Sequence, residues 1–182
     1  GLGPLRFKGS LIRLDIDPMQ VMGVQRAHVG LVGDALEGLQ ALLGKVAPAN
    51  SRGRWALDSV QRVNQAERAG WTPKQQGLQG LLDLLRDNLD APILVGDSTQ
   101  PVYQGACGYQ APAPASWFNA GSGYGTLGYG LPAAMGAKLA RPERPVVALV
   151  GDGGLQFASG ELIAAKEAQI GVILLVWNNQ CY

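Results

Sequence analysis

The clearest strand-like stretches in this sequence are apolar along their whole length. APILVGD (91–97), PVVALVGD (145–152) and VILLVWN (172–178) show no alternation of apolar and polar residues, so strands built from them need cover on both faces. Two shorter strands are predicted at LIRLDID (11–17) and AHVGLVGD (27–34). Helical spacing marks DALEGLQALLGKV (34–46), two stretches over 54–69 and 73–90, LGYGLPAAMGAKLA (127–140) and SGELIAAKEAQ (159–169). The 73–90 helix opens on Thr72-Pro73, a cap followed by proline at the first helical position. Strands and helices alternating in this way predict an α/β fold: a parallel sheet with helices on both faces. APANSRG (47–53) has no periodicity and marks a boundary between residues 1–46 and a domain over 47–182. Residues 98–126, rich in Gly, Pro and aromatics, read as one long connection.

LVGD occurs three times, at 31–34, 94–97 and 149–152. The flanking sequences do not match and the spacings differ, so this is not a repeat. Each copy has a simple structural explanation: glycine makes the turn at a strand end and aspartate caps the next helix. The third copy has something more. Asn179 lies 27 positions beyond Asp152, the length of one strand–helix–strand crossover, which places both at the carboxyl ends of neighbouring parallel strands. A carboxylate and an amide oxygen there suit Mg²⁺, which is usually held by few protein groups together with phosphate oxygens. Gly153 and Gly154 allow close approach of backbone N–H groups to a phosphate. The predicted ligand is a magnesium diphosphate.

Composition excludes several alternatives. A net charge of +1 with 16% charged residues carries no basic excess for nucleic acid. No apolar run approaches the ~20 residues of a membrane span, and the start GLGPLRFKGS lacks a signal-peptide pattern. Cys107 and Cys181 show no metal-ligand spacing, and a cytoplasmic, reducing environment is expected. The lone His28 is expected to be structural.

GDGG (151–154) followed by NN (178–179) resembles the diphosphate-binding signature of thiamine diphosphate enzymes. GSGYGTLGYGLPAAMGAKLA (121–140) is similar to the glycine-rich segment of their acetolactate synthase, benzoylformate decarboxylase and pyruvate decarboxylase branch. The resemblance covers about 45–182 as the cofactor's diphosphate domain, C-terminally incomplete; residues 1–46 are similar to the end of the preceding central domain. It implies that Gly151, Asp152, Gly153, Gly154 and Asn179 hold the diphosphate and its metal, with Asp152, Asn179 and the backbone carbonyl of Cys181 as protein ligands of Mg²⁺. Leu127 would be the apolar wedge that bends the cofactor, and the Gly125 carbonyl would accept a hydrogen bond from its amino group. Ser98, Thr99 and Gln100 would contribute hydroxyl and amide groups to the diphosphate. Gly154 departs from relatives that often carry serine there.

The implied reaction is decarboxylation of a 2-oxo acid through a thiazolium adduct and an enamine; an acetolactate synthase-like carboligase is the alternative. The tyrosine-bearing GSGYGTLGYG and VGDSTQPVY lean towards the decarboxylases. A homodimer or homotetramer is implied, its site completed by an activating glutamate from the amino-terminal domain of another subunit, so this stretch alone is expected to be inactive. Two other readings stay open. GYGTLG (123–128) fits the dinucleotide fingerprint, against which stand the poor strand before it and an acidic partner only at Asp152, 24 positions beyond Gly128. A non-enzymatic piece offering only an assembly surface would also preserve the fold. The small-residue helix 127–140 could equally reflect close helix packing.

Overall fold

The computed structural model describes residues 9–23, 25–46 and 57–180. The chain divides into two compact units, Gly1–Ala56 and Leu57–Tyr182. The predicted boundary stretch 47–53 lies outside the described residues.

In the first unit, β1 (Ile12–Asp15) and β2 (Val29–Val32) pair in parallel from Ile12 opposite Val29 to Asp15 opposite Val32. A four-residue helix, α1 (Pro18–Val21), connects them, and α2 (Ala35–Leu43) follows. The first LVGD ends here as a helix cap: Asp34 Oδ1 accepts from the N–H groups of Leu36 and Glu37 at 2.8 and 3.2 Å. The His28 ring is structural, its Nδ1 accepting the Leu11 N–H at 2.9 Å.

The second unit begins with α3 (Leu57–Ala69) and α4 (Pro73–Asn88). Thr72 caps α4 ahead of Pro73, as expected, and also forms a reciprocal capping box with Gln75. Next come β3 (Ile93–Gly96), α5 (Gln100–Gly108), β4 (Trp117–Asn119), a 3₁₀ turn (Ala120–Ser122) and α6 (Gly130–Ala140). β5 (Val146–Gly151), α7 (Asp152–Gln156), α8 (Glu161–Glu167) and β6 (Ile173–Trp177) complete it. The sheet is wholly parallel in the order β4-β3-β5-β6.

Cores on both faces explain the uniformly apolar β3 and β5, whereas β6, at the edge of the described sheet, lacks the two-sided cover expected of it, with Ile173 and Val176 45% and 41% exposed. Ile93, Val95, Val146, Ala148 and Val150 point to one face and pack with Ala134 of α6. Leu94, Val147 and Leu149 point to the other and pack with Leu82 of α4 and Val102 of α5. Successive strand residues therefore serve opposite cores, which leaves no position for a polar side chain.

The structure corrects the sequence reading in three places. Residues 98–126 contain α5 and the edge strand β4 rather than one irregular connection. α5 hides because it carries Gly105 and Pro101; the glycine is set by packing, since a Cβ there would overlap the Trp117 ring. The helix predicted over 127–140 starts at Gly130. Gly125 and Gly128, at φ +67° and +82°, hold the preceding residues out of helical geometry. The third correction is α7, a short helix directly after β5. Among the described residues no helix is long and apolar enough to cross a membrane.

Candidate functional site

The carboxyl ends of β3, β5 and β6 open onto a cavity of about 310 Å³, where ligands of parallel α/β sheets characteristically bind. The end of β3 and the first turns of α5 contribute Ser98, Thr99, Gln100 and Tyr103. The end of β5 and the start of α7 contribute Gly151, Asp152, Gly153 and Gly154, and the end of β6 contributes Trp177 and Asn179. Leu127, 37% exposed, enters from the loop before α6. Nine of the residues predicted from sequence thus line one cavity although they come from four separate stretches of chain.

Local chemistry explains each placement. β5 and β6 pair with Gly151 opposite Trp177, so Asp152 and Asn179 leave adjacent strands just beyond the last rung. The two asparagines then part: Asn178 Oδ1 accepts the Gln180 N–H at 2.8 Å and closes a side-chain turn, whereas Asn179 lines the cavity. A Cβ on Gly151 would stand 3.4 Å from the Thr99 hydroxyl, so glycine here lets the ends of β3 and β5 converge closely. Gln100 Oε1 accepts the Trp177 indole N–H at 3.3 Å, which leaves its amide NH₂ as the donor end.

Gly125 does not line the cavity. Its carbonyl accepts the Ser98 hydroxyl at 3.0 Å, so it is one hydrogen bond removed from the lining. At Gly128 a Cβ would approach that of Phe157 at 2.9 Å, which packs this loop against the turn after α7. Cys181 lies outside the described residues.

The donor set has a definite charge logic. The lining holds one carboxylate, Asp152, and no basic side chain. Among the described residues no group of three or more His, Cys, Asp or Glu side chains converges on a metal position. An anionic ligand here would face first-turn backbone N–H groups that lack intrahelical acceptors, and it would need a cation beside Asp152 to offset the carboxylate. A ligand that carries its own metal, coordinated partly through its own oxygens, matches these residues; a bare metal ion or a bare anion matches them less well.

Three residues escaped sequence reasoning. Tyr103 was hidden with α5, and Trp177 reads as one more apolar strand residue. Asp97, in the second LVGD, is the most consequential. It is 1% exposed, and its carboxylate accepts the N–H groups of Ser98 and Gly130 at 2.7 and 3.0 Å. An acid directly after a fully buried strand was the available signal.

Fold and site together define a parallel α/β domain with a strand-end cavity lined by one carboxylate, an asparagine and a run of glycines. Residues 96–182 match the family described as "Thiamine pyrophosphate enzyme, C-terminal TPP binding domain". Residues 96–182 thus carry the C-terminal cofactor-binding domain of the thiamine pyrophosphate enzyme family. The chain is 41% identical over 177 residues to a Pseudomonas aeruginosa protein named "Probable 2-ketoarginine decarboxylase AruI", covering 96% of this chain and 32% of that protein. It is 31% identical over 176 residues to the acetolactate synthase isozyme 1 large subunit of Escherichia coli, covering 93% and 30%. Against the acetolactate synthase large subunit of Buchnera aphidicola it is 29% identical over 180 residues, covering 93% and 30%. The chain spans about a third of the length of these curated relatives.

Proposed function

We propose that this chain is the thiamine diphosphate and Mg²⁺-binding portion of a 2-oxo acid decarboxylase. The observation that carries the reading is the convergence of Asp152, Asn179, the Gly151–Gly154 backbone and Leu127 on one cavity. Asp152 and the Asn179 side chain hold Mg²⁺, with the Cys181 backbone carbonyl, outside the described residues, as third protein ligand. The N–H groups of Gly153 and Gly154, the Thr99 hydroxyl and the Gln100 amide bind the diphosphate oxygens.

When bound, thiamine diphosphate supplies an acidic ring carbon that adds to the ketone and an electron sink for the bond to CO₂. The chain's own part is to position. Leu127 would present an apolar surface to the ring end of the cofactor, whose amino group would supply the base. The Gly125 carbonyl orients that amino group, and the Ser98 hydroxyl, which donates to the same carbonyl, fixes its direction. Tyr103 and Trp177 keep the far wall largely apolar, which favours steps that neutralise charge. A homodimer or homotetramer completes the site with an amino-terminal domain from another subunit.

The 41% relative named as a decarboxylase of 2-ketoarginine favours decarboxylation and a basic 2-oxo acid. The relatives named as acetolactate synthases favour the second reading, a carboligase. Product analysis of the full-length protein with pyruvate, benzoylformate and 2-ketoarginine separates them. CO₂ and the corresponding aldehyde are expected, whereas acetolactate from pyruvate would establish the carboligase.

A further inference from the structure

Asp97 is not itself part of the cavity lining but lies buried beneath it, bonded to Ser98 and packed against Gly154. A carboxylate withdrawn from water is costly unless its oxygens are satisfied, so its partners indicate what it is there to hold. One partner is the N–H of Gly130, the first residue of α6, at 3.0 Å. The other is the N–H of Ser98, whose own hydroxyl reaches the Gly125 carbonyl at 3.0 Å. The loop 125–129, which carries Leu127, is therefore tied at its beginning by Ser98 and just past its end by Asp97.

Two glycines record how closely the chain packs on this carboxylate. A Cβ on Gly130 would stand 3.1 Å from the Asp97 Cβ and 2.8 Å from Val150 Cγ1. A Cβ on Gly154 would stand 3.3 Å from both the Asp97 Cγ and Oδ1. Glycine at position 154 thus leaves open the space beside the carboxylate.

We propose that Asp97 is a positioning residue that sets the Gly125–Leu127 loop against the cofactor's ring end, through Ser98 and Gly130, with Gly154 leaving room beside it. The proposal rests on the thiamine diphosphate reading above. It separates two jobs within one site: Asp152 and Asn179 act on the diphosphate end, and Asp97 acts on the end where Leu127 and Gly125 lie.

The test compares two ligands on the full-length protein, monitored by tryptophan fluorescence at saturating Mg²⁺: thiamine diphosphate, and inorganic diphosphate, which has no rings. Asp97→Asn keeps the shape but replaces one acceptor oxygen with a donor. It is expected to weaken thiamine diphosphate about tenfold while leaving inorganic diphosphate within about twofold. Ser98→Ala leaves the carboxylate intact and removes a hydroxyl whose one proton goes to the Gly125 carbonyl rather than, as expected from sequence, to a diphosphate oxygen; it is expected to show the same selectivity and covers the case in which Asp97→Asn does not fold. A merely structural role would lower both affinities together, and a purely electrostatic one would raise both by removing a negative charge. Parallel changes, or no change, overturn the proposal. If the wild-type protein binds inorganic diphosphate with Mg²⁺ but not thiamine diphosphate, or binds neither, the thiamine reading itself fails and the proposal with it.

Discussion

Asp97 and Asp152 both close an LVGD run, at the carboxyl ends of neighbouring parallel strands, and they end in opposite circumstances. Asp97 turns inward, 1% exposed, and its oxygens accept backbone N–H groups from its own turn and from α6. Asp152 starts α7 and lines the cavity beside Asn179. The four shared residues fix only a strand and its turn. The residues that follow differ: Ser-Thr separates Asp97 from the start of α5, whereas Asp152 is itself the first residue of α7 and Gly-Gly continues that helix. Asp34 provides the reference state, an exposed helix cap.

Substituting each aspartate by alanine breaks or sharpens this comparison. Asp152→Ala should weaken the binding of Mg²⁺ and thiamine diphosphate by at least about a hundredfold, read by calorimetric titration, since it removes the cavity's one carboxylate. Its effect on denaturant unfolding should stay within about 0.5 kcal/mol. Asp97→Ala should do the reverse in stability, costing about 1–3 kcal/mol for the buried Gly130 N–H it strands and less for the part-buried Ser98 N–H. Gly128→Ala, at φ +82° against Phe157, should cost about 1–3 kcal/mol and disturb the Leu127 loop, seen as a lower thermal midpoint. Asp34→Ala should cost about 1 kcal/mol, confined to faster hydrogen exchange at the start of α2, with ligand binding unchanged. Equal responses from Asp34 and Asp152 would mean that the strand-end motif alone governs both.

Much of this was legible in the sequence because the signals were local or strictly periodic. The unbroken apolar runs of β3 and β5 announced a doubly covered parallel sheet, and Thr72-Pro73 announced the start of α4. The spacing from Asp152 to Asn179 placed them on adjacent strand ends. Features decided by tertiary contact were not legible. α5 holds a glycine where Trp117 needs room, β4 has three residues, and α6 starts late because two glycines ahead of it adopt positive φ. The role of Asp97 was hidden for the same reason, since Gly130 lies 33 residues away in sequence.

The central claim is that Asp152 and Asn179 bind a diphosphate through a metal. Calorimetric titration of thiamine diphosphate into the full-length protein, with Mg²⁺ and then with EDTA, tests it most directly when run beside Asp152→Ala and Asn179→Ala. Saturable binding that requires Mg²⁺ and is lost in both variants is the predicted result. Binding that survives EDTA, or that persists at wild-type affinity in Asp152→Ala, would contradict it.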